Sequence, residues 1–111
     1  MIDIILRLKA SELENPDLDI RYQLPDRIVA SSDGRIKDNG YDYGNDPDEL
    51  YLFLKAVDAS DVSFAITVVQ NDTFCGNHLH NCVVVAIEEA GKINIMYPQD
   101  YVGDFNVPSA S

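Results

Sequence analysis

The sequence predicts an α+β fold, a ferredoxin-like β-α-β-β-α-β(-β) sandwich with helices on one face of a mainly antiparallel sheet. Three observations predict it. Apolar and polar residues alternate in several short segments, as in strands that are half buried. The segments between them carry helical spacing or helix-capping residues. Near the C-terminal end, two apolar runs flank a short turn and form a hairpin pattern.

The chain begins with a predicted strand and a predicted helix. In "IDIILRLK" every second residue from Ile2 is apolar, and this period of two indicates a half-buried strand. Asn15 can cap the helix that follows, with Pro16 at its first position and Tyr22 on its apolar face. Pro25 lacks a backbone donor, which predicts that this helix is kinked or split there.

Two strands are expected next. The segment "RIKDNGYDYG" predicts a short strand with a turn at Asn39-Gly40, because this dipeptide is the strongest short hairpin signal. In "LYLFLKAV" the leucines alternate with Tyr51, Phe53 and Lys55, which predicts a second strand.

The second half of the domain predicts a helix and a hairpin. "DASDVSFAITVVQND" fits a helix face and also a strand, but Asp58 or Ser60 as a cap and Asp61 in the first turn favour a helix. "CVVVAIEEAGKINIMYP" predicts a hairpin that turns at Ala90-Gly91. Its valine-rich first arm is expected to be buried on both faces and central in the sheet.

The 111 residues predict one α+β domain over residues 1–98 and a loosely ordered polar tail over residues 99–111. The opening "MIDIILRLKA" has no basic leader before its apolar run. No run approaches the roughly 18 apolar residues that a membrane span needs. We therefore expect a cytoplasmic protein without a membrane role.

The charge balance limits the partner classes. Nineteen acidic residues against eight basic ones give a net charge of −11. Repulsion from phosphates disfavours binding to nucleic acid or to an anionic membrane. The same field speeds encounter with a basic protein and weakens as salt is added. Two alternatives remain: the charge only maintains solubility, or the acids are spaced like phosphates in a DNA mimic.

Five of the nineteen acids, together with two tyrosines and no base, lie in "DNGYDYGNDPDEL", residues 38–50, which we call the acidic segment. A calcium loop starting at Asp38 is disfavoured, because Gly40 has no side-chain oxygen and Tyr43 replaces the required glycine. The alternatives are a solvated loop and a protein interface, in which tyrosines anchor and carboxylates pair with Lys or Arg. The predicted partner-binding residues are Asp38, Tyr41, Asp42, Tyr43, Asp46, Asp48 and Glu49.

A second cluster, "CGNHLHNC", holds Cys75, His78, His80 and Cys82. Structural zinc sites draw two short ligand pairs from separate elements, and this spacing matches no usual pattern. An ordinary turn is favoured, while zinc, a disulfide, and a small regulatory metal- or ligand-binding module stay open as alternatives. We predict no cofactor. No nucleophile–base pattern, phosphate loop or dinucleotide motif is present, so we predict no catalytic residue and no enzymatic activity.

A short, strongly acidic α+β chain with an aspartate- and tyrosine-rich loop resembles the immunity proteins that bacteria pair with polymorphic toxins, including contact-dependent inhibition systems. Members of that group often neutralise basic nuclease toxins by covering the active site or a surface beside it. The resemblance implies a cytoplasmic, non-enzymatic inhibitor of a basic cognate toxin. Immunity families differ in fold, so no residue role carries over by position.

Overall fold

The computed structural model describes residues 2–13, 19–44, 46, 48–74, 77–79, 82–98, 101 and 105. The strands are β1 (Ile2–Lys9), β2 (Ile36–Tyr43), β3 (Glu49–Ala56), β4 (Thr73–Phe74), β5 (Asn77–His78), β6 (Val83–Glu89) and β7 (Lys92–Tyr97). The helices are α1 (Ile20–Ser31) and α2 (Val62–Asn71), and short 3₁₀ turns span Ala10–Glu12 and Ala59–Asp61.

The main sheet has five strands in the order β2-β3-β1-β6-β7, and every neighbouring pair is antiparallel. β1 is therefore the middle strand, and β2 and β7 are the two edges. The short strands β4 and β5 form a separate pair. The predicted α+β class is confirmed, since both helices pack against an antiparallel sheet.

Both helices lie on the same side of the sheet, which we call the helix face. The register places Leu6 of β1 beside Leu52 of β3 and Val85 of β6, so these side chains point to one side. Leu24 of α1 and Val69 of α2 close the core above them, and all of these side chains are buried. Neither described helix is long and apolar enough to cross a membrane.

The other side of the sheet, the open face, is buried at its centre. Ile5 and Tyr51 point to this side and are almost fully shielded from solvent. The Tyr51 ring meets that of Phe105 edge to face at 5.8 Å, and the Arg7 guanidinium lies 5.4 Å from the Tyr101 ring and 5.6 Å from that of Phe105. Two aromatic residues beyond β7 therefore contact the open face. The loosely ordered tail over residues 99–111 stays a prediction.

Of the two outcomes predicted at Pro25, a split is excluded, because helix α1 runs through this residue without a break. Tyr22 does not lie on the apolar face but is exposed. The expected cap at Asn15 and Pro16 lies outside the described residues. The residues that α1 buries are Ile20, Leu24, Pro25 and Ile28.

The predicted turn at Asn39-Gly40 is wrong, because β2 continues through both residues. The register with β3 shifts between Asp38 and Tyr41, which identifies a β-bulge. Gly40 has a φ of 91°. A glycine in this left-handed region serves a bulge as well as a turn, so the dipeptide signal has two structural outcomes.

The helix predicted over residues 58–70 is confirmed as α2, Val62–Asn71, and the 3₁₀ turn Ala59–Asp61 that leads into it has a capping box at Asp58. The Asp58 carboxylate accepts from the Ser60 N–H at 3.2 Å, and the Asp61 carboxylate accepts from the Asp58 N–H at 3.1 Å. Asp61 also pairs with Arg35, whose Nε lies 2.7 Å from Oδ1. This ion pair ties the start of β2 to the start of α2.

The hairpin of β6 and β7 is also confirmed. Ala90 and Gly91 form its two-residue turn, with φ values of 54° and 79°. Residues Val83 to Ile87 are buried on both faces of the sheet, as the valine-rich run predicts. The central position belongs to β1, however, and β6 lies between β1 and the edge strand β7.

Candidate interaction site

Three exposed tyrosines lie together where α1 crosses the edge strand β2. Tyr22 of α1 and Tyr41 and Tyr43 of β2 form the tyrosine patch. The Tyr41 ring meets the Tyr22 ring at 6.0 Å and the Tyr43 ring at 6.2 Å, with interplanar angles of 87° and 86°. Their exposed fractions are 49%, 40% and 39% in chain order. Exposed aromatic residues in a contiguous group mark interaction surfaces more often than scattered ones do.

The register of β2 explains why the patch forms. Tyr41 stands opposite Leu52 and Tyr43 opposite Leu50, so both rings point to the helix face. At this edge the helix face is covered by α1, and Tyr22 projects from α1 toward the two rings. A strand period of two and one helix crossing therefore bring the three tyrosines together.

Arg21 holds the patch in place. Its guanidinium carbon lies 4.9 Å from the Tyr22 ring centroid and 5.4 Å from that of Tyr41. Its Nη1 donates to the Tyr43 hydroxyl at 3.3 Å. The hydrogen bond and charge of Arg21 lower the pKa of Tyr22, and the hydrogen bond with Tyr22 raises the pKa of Tyr41. Arg21 therefore occupies the cation-binding positions on two of the rings.

Three predicted carboxylates are exposed along the acidic segment and bond to their own backbone. The Asp38 carboxylate accepts from the Gly40 N–H at 2.9 Å, and that of Asp42 accepts from the Tyr43 N–H at 2.8 Å. Asp46 accepts from the N–H of residue 48 at 2.9 Å. Each bond uses one carboxylate oxygen, so these acids shape the segment and still present negative charge to solvent. Asp42 points to the open face, away from the patch.

The last two predicted acids make contacts within the domain. Asp48 accepts from the Ser11 N–H at 2.8 Å and from its hydroxyl at 2.5 Å, and these hydrogen bonds lower the pKa of Asp48. A Glu49 carboxylate oxygen lies 3.9 Å from Nη1 of Arg7, and both side chains are largely buried. These two carboxylates therefore anchor the end of the acidic segment to the sheet.

Four residues at this site are not among those that the sequence predicts. Arg21 and Tyr22 belong to the patch itself, and Asp19 and Asp26 are exposed on α1, three residues before and four after Tyr22. Residues at these spacings are neighbours on a helix surface. The spacing of the buried residues of α1 would have placed Tyr22 outside the apolar stripe, had the helix been phased on Leu24.

Half of the Cys and His cluster lies outside the described residues, namely Cys75 and His80. His78 is exposed, with its Nδ1 3.4 Å from the Thr73 hydroxyl, and the Cys82 thiol donates to the carbonyl oxygen of Glu12 at 3.1 Å. In the part of the chain that the structure describes, no three His, Cys, Asp or Glu side chains lie close enough together to hold a metal ion.

A groove of about 340 Å³ separates the outer sides of α1 and α2. Its two charged lining residues, Arg27 and Asp72, are paired with each other, because the Arg27 Nε lies 2.7 Å from the Asp72 carboxylate. The groove therefore offers mainly hydroxyl groups and the Phe64 ring to a ligand.

Comparisons with known proteins give no relative. No family model matches the chain, and searches of curated proteins and of solved structures return no match. Its function is inferred from the surface chemistry described above.

Proposed function

We propose that this chain is a cytoplasmic, non-enzymatic inhibitor of a basic protein: an immunity protein that covers the active or binding surface of its cognate toxin. The observation that carries this proposal is the tyrosine patch, which is exposed and flanked by acids at one edge of the sheet. Neither nucleic acid nor a membrane suits a chain with a net charge of −11.

The composition of the patch supports a protein partner. Tyrosine and arginine are enriched at the centres of protein interfaces, where a few anchors supply most of the binding energy. The three rings are fixed edge to face, and Arg21 bridges them. Because the rings are already ordered, binding costs less rotamer entropy than it would for mobile side chains.

The charge around the patch supports a basic partner. Exposed carboxylates flank the tyrosines on both elements: Asp19 and Asp26 on α1, Asp38 on β2, and Asp46 beyond it. A polar rim around an aromatic centre is the usual arrangement of an interface. Lysines and arginines of a partner would pair with this rim, and the net charge of the chain would speed the encounter at low salt.

Arg21 changes how the tyrosines are expected to act. Exposed tyrosines can stack with arginines of a partner, but Arg21 already lies over the Tyr22 and Tyr41 rings. The cations of the partner are therefore expected to bind the surrounding carboxylates. The tyrosines contribute ring edges and hydroxyl groups, which suit an apolar pocket lined with backbone acceptors.

The test begins with this chain as bait in lysate of its source cell, at low salt and at about 0.5 M salt, where steering is largely screened. The proposal requires a basic protein near stoichiometry whose own activity is blocked in the complex. Recovery of a metal or a small molecule with the bait, and of no protein, would support the regulatory module instead.

The same complex then tests the patch. Tyr41→Ala is expected to weaken binding by about 2 kcal/mol, roughly thirtyfold, if Tyr41 is an anchor. Val57→Ala is the matched control, because Val57 has an exposed fraction of 55% and follows the end of β3 that pairs with Ile36, away from the patch. Isothermal titration calorimetry measures both. Equal affinity of Tyr41→Ala and the wild type would overturn the assignment of the patch.

A further inference from the structure

The edge strand β7 differs in charge and polarity from the other edge strand, β2, which carries part of the acidic segment. Among the described residues, β7 pairs with β6 on one side and no strand lies on its other side. Its sequence, KINIMY, has one base and no acid, although the net charge of the chain is −11. Ile93 has an exposed fraction of 39% on the open face. An exposed apolar edge strand is a template for pairing with another strand.

The turn geometry shows which backbone groups of β7 point outward. Ala90 and Gly91 both have positive φ, as in a two-residue type I′ turn, so the flanking residues Glu89 and Lys92 form a hydrogen-bonded pair. Hydrogen-bonded and non-hydrogen-bonded pairs alternate along an antiparallel ladder. The N–H and C=O groups of Ile93 and Ile95 therefore point away from β6.

We propose that two copies of this chain associate through antiparallel pairing of their β7 strands, about a twofold axis at Asn94. This register places Ile93 of each copy opposite Ile95 of the other, and each such pair exchanges both of its N–H···O=C hydrogen bonds. The isoleucines of both copies then meet on the open face, where they cover the exposed Ile93. The strand is thus complementary to itself, as a twofold interface requires.

The position of the acidic segment also favours a second copy at this edge, where the acids of the neighbouring strand are Glu88, opposite Ile93, and Glu89, opposite Lys92. The acidic segment lies at the other edge of the sheet, beyond β3, β1 and β6. Pairing through β7 places the two acidic edges at opposite ends of the joined sheet, where their repulsion is weakest. Added salt screens the repulsion that remains, so the dimer is expected to strengthen with salt. A complex with a basic partner is expected to weaken with salt, so the salt dependence distinguishes dimerisation from partner binding.

Sedimentation velocity on the full chain tests the proposal, from micromolar to about 1 mM protein, at low salt and at about 0.5 M salt. We expect a monomer–dimer equilibrium that shifts toward dimer in high salt. Ile95→Pro removes an outward N–H and leaves the bonds to β6, because proline is tolerated at such edge positions. It is expected to weaken dimerisation about tenfold or more. Ile95→Val, which keeps the N–H, is the matched control.

Amide hydrogen exchange on the wild type gives a second readout that does not depend on the fold of a variant. The Ile93 and Ile95 amides are expected to be protected only at high protein concentration, whereas the inward-facing Asn94 amide is protected at all concentrations. A monomer at the highest concentration in high salt would overturn the proposal, as would a dimer that Ile95→Pro does not weaken. Protection of these amides by a basic partner alone would assign the edge to that partner instead.

Discussion

The two edges of the sheet are protected by different means. At β2, carboxylates bond to the backbone N–H groups of Gly40 and Tyr43, a bulge interrupts the strand, and α1 adds Arg21 and Tyr22 beside it. At β7, the residues from Lys92 to Ile95 include no acid and only one base, and the register shift with β6 comes after them, between Ile95 and Tyr97. Charged side chains and bulges are the usual means by which proteins block an edge. The acids of β2 therefore block strand addition at this edge of the sheet, and they also present negative charge to solvent.

Acids in such a segment can therefore serve two separate purposes: they can bond to the backbone, and they can present charge to a partner. Asp38 and Asp42 occupy backbone donors, which would be useful to the protein without any partner. Both carboxylate oxygens of Asp48 accept hydrogen bonds from Ser11. The exposed rim around the tyrosine patch, rather than the number of acids, is what distinguishes the proposed binding surface.

The largest expected difference between the edges concerns their isoleucines. Ile36 begins β2 and is 0% exposed, so Ile36→Ala is expected to lower the free energy of unfolding by about 2–5 kcal/mol, since it leaves a cavity in the core. Ile93→Ala on β7 is expected to cost within about 1 kcal/mol, because its side chain is already part exposed. Urea unfolding measures both. Equal costs would show that the two strands are anchored alike.

A smaller effect is expected at Gly40. An added Cβ there meets no atom within 4 Å, so the cost of Gly40→Ala is conformational and comes from its φ of 91°. We expect a loss of about 1–2 kcal/mol in the free energy of unfolding. Gly91→Ala, in the turn before β7, is the control, because Gly91 has a φ of 79° and is equally unobstructed. A much larger loss at Gly40 would mean that the bulge itself is needed to hold β2.

The smallest expected effect is a change in the pH dependence of stability. Hydrogen bonding from Arg35, just before β2, lowers the pKa of Asp61 below its usual value. A lowered pKa means that this pair stabilises the fold above the unfolded-state value of about 3.9, and that the stabilisation is lost as pH falls through the folded-state pKa. Asp61→Asn is therefore expected to weaken the dependence of the free energy of unfolding on pH in the acidic range. Its difference in unfolding free energy from the wild type should shrink between about pH 5 and pH 2; parallel curves would contradict this.

Local signals in the sequence predicted much of the fold. The alternation in β1 and β3 and the cap at Asp58, before the 3₁₀ turn that leads into α2, depend on neighbouring residues, and the structure contains all three. The Asn39-Gly40 turn was wrong because the dipeptide specifies a left-handed glycine but not the length of the strand around it. Tyr22 was placed on the wrong face because the phase of α1 is set by packing against the sheet.

The candidate site was predictable only in part. A strand period of two was enough to place Tyr41 and Tyr43 on one face, with Asp42 on the other. No local pattern shows that α1 would bring Arg21 against these rings. The hydrogen bonds between Asp48 and Ser11 join positions 37 residues apart, so the sequence of the acidic segment alone does not show that this carboxylate is already engaged.

The tyrosine patch also makes the protein its own optical reporter. The chain has six tyrosines and no tryptophan, and three of the six form the patch. Its ultraviolet fluorescence therefore comes from phenol rings, and half of these rings lie at the proposed contact surface. A partner that contains tryptophan would accept energy from them on binding, so complex formation can be followed without a dye or a tag.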